Sequence, residues 1–106
     1  MKTGVILYSN NPETAWNAFR YANFAVKAGD QAKVFLMGGG AEAESLDAQS
    51  FPVAARMKDF TAAGGQIPAC GTCLKPRGSS PTAICPLESL KDMRSLVRES
   101  DRILTF

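Results

Sequence analysis

The chain has 106 residues and a formal net charge of +2, from 12 Lys and Arg against 10 Asp and Glu. This length predicts one domain, spanning 1–106, with a single core, and so small a charge gives no support for binding nucleic acid. The opening apolar run, Gly4–Tyr8, is too short for a signal peptide, and no apolar run approaches the roughly 20 residues that span a bilayer. We therefore expect a soluble, cytoplasmic protein with neither nucleic-acid nor membrane partners.

Apolar strand patterns alternate with helical patterns along the first half of the chain. A buried strand is predicted over Lys2–Ser9, and Asn11-Pro12-Glu13 is typical of a helix start because Asn caps and Pro fits the first turn. This helix is predicted to end near Ala28, before Gly29. Its predicted inner face consists of Ala15, Phe19, Ala22 and Val26, with Trp16 beside it.

A second buried strand is predicted over Gln31–Met37, followed by a triple glycine, Gly38–Gly40, that favours a tight turn. Residues 41–51 are weakly patterned and predict a loop with a helical turn. Phe24 and Phe51 fall outside the predicted core faces, which gives weak support for an oligomer.

The second half continues the alternation. We expect a helix over Pro52–Ala63, a short strand over Gln66–Ala69, a last helix over Ser89–Glu99 with a capping-box-like start, and a buried strand over Arg102–Phe106. Residues 82–84 could add a short strand. The predicted inner residues of the two helices are Val53, Met57 and Phe60 in the first, and Leu90, Met93 and Val97 in the second.

This alternation predicts an α/β fold in which a parallel sheet is covered by helices on both faces. Functional residues of such folds gather at the carboxyl ends of the strands. Three stretches fall there: Asn10-Asn11, Gly38–Gly40 and Cys70. A functional site is therefore expected at this edge of the sheet.

The residue types restrict the chemistry of that site. The chain has three cysteines and no histidine, which excludes Cys-His and Ser-His-Asp mechanisms and histidine metal sites. An odd number of cysteines within one stretch is a poor disulfide framework. Reactivity must then come from thiols, carboxylates, lysines or the backbone, and the sequence indicates no cofactor.

The stretch PACGTCLKPRG contains the strongest candidate, Cys70. Lys75 and Arg77 follow closely, and the sequence from Thr61 to Leu87 contains no Asp or Glu. Nearby positive charge and free backbone N–H groups stabilise a thiolate, so the pattern favours a reactive thiol. The alternative is a buried structural cysteine, because free cysteine is among the most buried residue types.

The spacing of the cysteines can be compared with the patterns of other known cysteine sites. A phosphatase or rhodanese loop needs an arginine six positions after the cysteine, and neither Cys70 nor Cys73 has one. A zinc ribbon needs a second cysteine pair, whereas only Cys85 remains. A thioredoxin motif opens a long helix, which Pro76 and Pro81 prevent. A disulfide between Cys70 and Cys73 stays open as an oxidation product or a resolving step.

Several of these features together resemble the DsrE/DsrF-like family of small sulfur-relay proteins, closest to its YchN-like members. The features are the opening strand and apolar helix, Phe35-Leu36-Met37 before small residues, the Cys70-x-x-Cys73 pair with Arg77-Gly78 behind it, and the ending SDRILTF. The resemblance covers nearly the whole chain.

The resemblance implies a three-layer α/β/α sandwich around a mostly parallel sheet of about five strands, assembled as a homotrimer or homohexamer. It also implies a sulfur carrier or sulfurtransferase: Cys70 would hold sulfane sulfur as a persulfide, taking it from a donor protein and passing it to an acceptor protein. Lys75 and Arg77 would stabilise the thiolate, and Cys73 would be a resolving or second thiol. Cys85 matches nothing in the family pattern. An assembly protein without thiol chemistry and a Cys70/Cys73 dithiol redox protein remain the alternatives.

Overall fold

The computed structural model describes residues 1–70, 87–88 and 90–106. Parallel strands alternate with helices along the chain, as the sequence predicts. The strands are β1 (Lys2–Leu7), β2 (Gln31–Leu36), β3 (Ala69–Cys70), β4 (Leu87–Glu88) and β5 (Arg102–Thr105). The helices are α1 (Pro12–Lys27), α2 (Val53–Ala62) and α3 (Leu90–Glu99), with a 3₁₀ helix over Gly38–Ser45.

All the strands lie in one sheet, in the order β4-β3-β2-β1-β5, and each pairs in parallel with its neighbours. β1 is central: it pairs with β2 from Lys2 to Leu7 and with β5 from Thr3 to Ile6. The predicted α/β class is confirmed. The expected set of about five strands is met only in part, because β1, β2 and β5 form the extended sheet while β3 and β4 have two residues each.

The main core lies between one face of the sheet and helices α1 and α2. Alternate residues of a strand point to the same face, and Val5, Leu7, Val34 and Leu36 of β1 and β2 all join this core. The predicted inner residues of α2 are confirmed as fully buried, and Phe19 of α1 meets Phe60 of α2 edge to face at 6.0 Å. The buried α1 residues are Ala15, Ala18, Phe19, Ala22 and Ala25.

The opposite face has a smaller core, where Ile6 and Phe35 pack against Leu96 of α3. The predicted inner face of α3 is wrong in two of its three residues. Leu90 is 62% exposed and Val97 is 46% exposed, whereas Leu96 is 2% exposed and Met93 is half-buried. Among the described residues, α3 turns Leu96 and Met93 toward the sheet and leaves Leu90 and Val97 exposed.

β5 also differs from its prediction as a buried strand. It lies at an edge of the sheet, and three of its four residues are exposed, including Ile103. An edge strand has a neighbour on one side only, and α3 covers little of its face. Apolar composition alone does not distinguish an edge strand of this kind from a central one.

The start and end of α1 follow the prediction. The Asn11 side chain accepts a hydrogen bond from the Thr14 amide at 3.1 Å, Pro12 occupies the first turn, and Gly29 after the helix has a φ of +100°. Asn11 therefore satisfies an amide that would otherwise lack a partner. The Gly29 conformation is one that L-residues with a side chain rarely adopt, so this glycine ends the helix.

The remaining predictions fall on less regular segments. The residues after β2 form the 3₁₀ helix Gly38–Ser45, which is longer than the predicted tight turn, and an isolated bridge joins Ala48 and Phe51. The expected strand near Gln66 is reduced to a parallel bridge with Lys33, with the strand itself at Ala69–Cys70. The expected strand at 82–84 and the cap at Ser89 lie outside the described residues.

Candidate functional site at the carboxyl edge of the sheet

The carboxyl ends of neighbouring strands are fastened to one another by main-chain hydrogen bonds. The Met37 amide donates to the Leu7 carbonyl at 3.0 Å, which joins the end of β2 to the end of β1. The Tyr8 amide donates to the Phe106 carbonyl at 2.9 Å, which joins β1 to the residue after β5. The Leu36 amide donates to the Pro68 carbonyl at 2.8 Å, just before β3. Main-chain hydrogen bonds therefore connect the carboxyl ends of the strands from β5 through β1 and β2 to the start of β3.

The triple glycine packs directly onto the end of β1. A Cβ added to Gly40 would lie 1.9 Å from the Leu7 carbonyl oxygen, and one added to Gly39 would lie 3.0 Å from the Asn10 amide nitrogen. Gly38 has a φ of +56°. These glycines therefore serve close backbone approach and a special turn.

Cys70 is the last residue of β3, so its main chain lies at this same edge. Pairing holds β3 on both sides: Ala69 pairs with Leu36 of β2 and with Leu87 of β4, and Cys70 pairs with Glu88. A residue held in this way has little main-chain freedom, which suits a group that must meet a partner in one geometry.

The other predicted site residues, Cys73, Lys75, Arg77 and Cys85, lie outside the described residues. On the same edge, two strands away from β3, polar residues follow β1. Tyr8 is 57% exposed, Asn10 is exposed, and the Ser9 hydroxyl accepts a hydrogen bond from the Asn11 amide at 3.0 Å. Ala69 is in register with Leu36 of β2, which is in register with Leu7 of β1, so the main chain places Cys70 in the same row as Met37 and Tyr8.

Glu88 is the residue that sequence reasoning missed. The absence of acidic residues between Thr61 and Leu87 suggested that no carboxylate opposes ionisation of the thiol. The sheet register makes Glu88 the Cα partner of Cys70 on the neighbouring strand. No local signal pointed to this pairing, because β4 has only two residues and is separated from β3 by a long connection.

Neither metal nor membrane signals accompany this site in the part of the chain that the structure describes. No group of three or more Cys, Asp or Glu side chains there is arranged to hold a metal ion. No described helix has the length and apolar character needed to cross a bilayer.

Comparison with known proteins identifies the family. The sequence model of the DsrE/DsrF-like family matches residues 1–106. The chain belongs to the DsrE/DsrF-like family. A relative from Methanocaldococcus jannaschii, named uncharacterized protein MJ0989, is 28% identical over 100 residues, which cover 89% of this chain and 88% of that protein. The resemblance noted in the sequence is thereby confirmed for the whole chain.

Solved structures support the fold of this DsrE/DsrF-like protein. The YchN protein from E. coli superposes with a TM-score of 0.86 at 21% identity, over 100% of both chains. A protein of unknown function from Methanobacterium thermoautotrophicum, MTH1491, gives a TM-score of 0.75 at 10% identity, over 97% of both chains. At such identities the similarity establishes the shared α/β fold and no more.

Proposed function

We propose that this DsrE/DsrF-like protein is a small cytoplasmic sulfur carrier that holds sulfane sulfur as a persulfide on Cys70. The observation that carries the proposal is the place of Cys70: the end of a paired strand, at the edge of a parallel sheet where such folds bind and react. Membership of a family whose members commonly serve sulfur relay supports the same role. The lack of histidine is compatible with it, because thiol chemistry of this kind needs no histidine base.

The transfer is a thiol exchange in which no net oxidation occurs. The Cys70 thiolate attacks the outer sulfur of a donor persulfide, a new S–S bond forms at Cys70, and the S–S bond of the donor breaks, releasing the donor thiolate. An acceptor thiolate then attacks the outer sulfur on Cys70 and leaves with it, which regenerates the Cys70 thiolate. The donor and acceptor are proteins that present a thiol.

We assign supporting roles to three further residues. Lys75 and Arg77 stabilise the Cys70 thiolate by their charge. Cys73 serves as a resolving or second thiol. The sequence contains no other lysine or arginine between Lys58 and Lys91. Replacing Lys75 and Arg77 together with neutral residues therefore removes the nearby positive charge while Cys70 itself stays unchanged.

Intact-mass measurement after incubation with a protein persulfide donor tests the function. We expect the wild-type chain, Cys73→Ser and Cys85→Ser to gain one sulfur atom that a reductant removes, and Cys70→Ser to gain none. Equal loading of Cys70→Ser would contradict the assignment. Loss of function in Cys73→Ser alone, with a reversible Cys70–Cys73 disulfide, would instead support a dithiol redox protein.

We also propose that the protein assembles as a homotrimer or homohexamer. Family membership supports this state, and the exposure of Ile103 on the edge strand β5 agrees with it. Light scattering coupled to size exclusion should give a mass three or six times that of the chain. A monomer that still loads sulfur would remove the oligomer from the proposal and leave the carrier role in place.

A further inference from the structure

A groove of about 670 Å³ lies along the surface of α1 and is completed by Arg56 of α2 and by Phe106, which follows β5. Its walls are mainly aromatic and basic. Tyr21 is 41% exposed and Phe24 is 71% exposed. Its lining includes Trp16, Arg20, Tyr21, Phe24, Lys27 and Phe106.

The aromatic side chains are held in place from below. Trp16 is half-buried and meets Phe51 edge to face, with ring centroids 5.6 Å apart. Arg20 lies over the Trp16 ring, with 5.3 Å between the guanidinium carbon and the ring centroid. Phe106 is half-buried and packs against the main core. Large, ordered aromatic and arginine side chains of this kind dominate the binding energy of protein interfaces.

The charges of the groove indicate what it binds. None of the described residues that line the groove is acidic, and three of them are basic: Arg20, Lys27 and Arg56. Arg56 has a carboxylate partner, Asp59, at 2.9 Å. Arg20 and Lys27 are exposed on the same helix, one and three residues from exposed aromatic rings. Charge complementarity therefore calls for a ligand that brings carboxylates beside apolar groups.

We propose that this groove docks an acidic, amphipathic segment of a partner protein, with apolar side chains against Trp16, Tyr21 and Phe24 and carboxylates against Arg20 and Lys27. A two-fold contact between two copies of this chain at the groove is a poorer fit, because it would place the same cations against each other. A three-fold contact joins two different surfaces, so the test includes self-association through Phe24 as an outcome that would reassign the groove. The groove is also elongated along a helix, as grooves that accept a partner helix are.

The groove begins near the edge of the sheet where Cys70 lies. Phe106 follows β5, and its carbonyl accepts from the Tyr8 amide at that edge. β5 and β3 are separated by β1 and β2, which corresponds to about 14 Å at the usual strand spacing. A partner seated in the groove would have to extend from Phe106 across the ends of β1 and β2 to reach the position of Cys70. This link rests on the proposed function, whereas docking itself does not.

Trp16 is the only tryptophan in the chain, so its fluorescence reports occupancy of the groove. The probe is a synthetic amphipathic peptide with leucine and glutamate along one helical face, compared with the same peptide carrying glutamine in place of glutamate. We expect the glutamate peptide to bind, to weaken as salt is raised, and to bind about tenfold more tightly than the glutamine peptide.

Two double variants that change the net charge equally, together with Phe24→Ala, show where on the protein the peptide binds. Arg20→Glu with Lys27→Glu should weaken binding of the glutamate peptide about tenfold or more, and Phe24→Ala should weaken it by a similar factor. Lys91→Glu with Arg98→Glu, on the exposed surface of α3, is the matched control and should stay within about twofold of wild type. Circular dichroism confirms that each variant remains folded.

Three results would overturn the proposal. They are equal binding of the two peptides, equal effects of the groove and control variants, and self-association of the chain that depends on Phe24 and excludes the peptide. The last would assign the groove to a second copy. Cys70→Ser should bind the peptide as wild type does, so failure of sulfur loading and failure of docking can be told apart.

Discussion

Cys70 and Glu88 are Cα partners on the neighbouring parallel strands β3 and β4. A residue that carries a carboxyl group is therefore paired with the proposed sulfur carrier, in addition to the cations that follow Cys70 in the sequence. Like charges oppose each other's ionisation, and opposite charges favour it. The reactivity of Cys70 should then reflect a balance between Glu88 on one side and Lys75 and Arg77 on the other.

Replacing Glu88→Gln should make Cys70 more reactive, because it removes a negative charge from the residue that is the Cα partner of Cys70. In a background with Cys73→Ser and Cys85→Ser, we expect the rate of iodoacetamide alkylation at neutral pH to rise roughly two- to fivefold. Glu99→Gln, on the exposed surface of α3, is the control and should leave the rate unchanged. An unchanged or slower rate in Glu88→Gln would mean that this carboxylate does not act on the thiol.

Gly40→Ala should destabilise the fold strongly, because the new Cβ would meet the Leu7 carbonyl oxygen at 1.9 Å and neither main chain can move easily. We expect a loss of about 3 kcal/mol in the free energy of unfolding, measured by urea titration. Gly29→Ala is the matched comparison: its Cβ would meet nothing within 4 Å, so only the φ of +100° is unfavourable. That variant should lose about 1 kcal/mol. Equal losses would show that close approach at Gly40 is unimportant.

Leu96→Ala tests which face of α3 is buried. Leu96 is 2% exposed and is the α3 residue that closes the smaller core with Ile6 and Phe35. Its truncation should cost about 2–4 kcal/mol in the free energy of unfolding. Val97→Ala, at a 46% exposed position one residue further on, should change stability by less than about 0.5 kcal/mol. Chemical denaturation measures both losses. A larger loss for Val97→Ala than for Leu96→Ala would mean that the face predicted from the sequence is the buried one.

Asn11→Ala should weaken the start of α1, because the Thr14 amide loses the side-chain oxygen that accepts from it at 3.1 Å. A loss of about 1 kcal/mol in unfolding free energy is expected. Asn11→Asp keeps an acceptor at the same place and adds a charge that favours the positive end of the helix, so it should retain wild-type stability. If Asn11→Asp loses as much as Asn11→Ala, the hydrogen bond is not what stabilises this helix start.

Much of the fold could be predicted because local rules and tertiary packing agree. The helix start at Asn11, its stop at Gly29 and the inner face of α2 each follow from residues close together in sequence. The inner face of α3 could not be predicted in the same way, because Leu90, Met93 and Val97 satisfy helical spacing as well as Met93 and Leu96 do. The choice between these rows depends on how α3 is set against Ile6 and Phe35, which are distant from it in sequence.

The position of the candidate site in the fold could be predicted from the sequence, but the residues that surround Cys70 could not. Topology places the end of β3 at the carboxyl edge, which is enough to locate Cys70 at the same edge as the ends of β1 and β2. The pairing of Cys70 with Glu88 depends on how β4 adds to the sheet, and a strand of two residues has no sequence pattern of its own. The aromatic groove was only hinted at, by the exposure expected of Phe24.

β5 pairs with β1, although these two strands are made at opposite ends of the described sequence. The Lys2 amide donates to the Asp101 carboxylate at 2.7 Å, across a separation of 99 residues. During synthesis β1 can pair with β2 long before β5 exists, so its other side stays open as an edge. Exposed edges of this kind recruit other chains, and contacts between distant residues form slowly. A nascent chain halted before Arg102 should therefore be the species most prone to aggregate, and it would need chaperone protection until its final strand arrives.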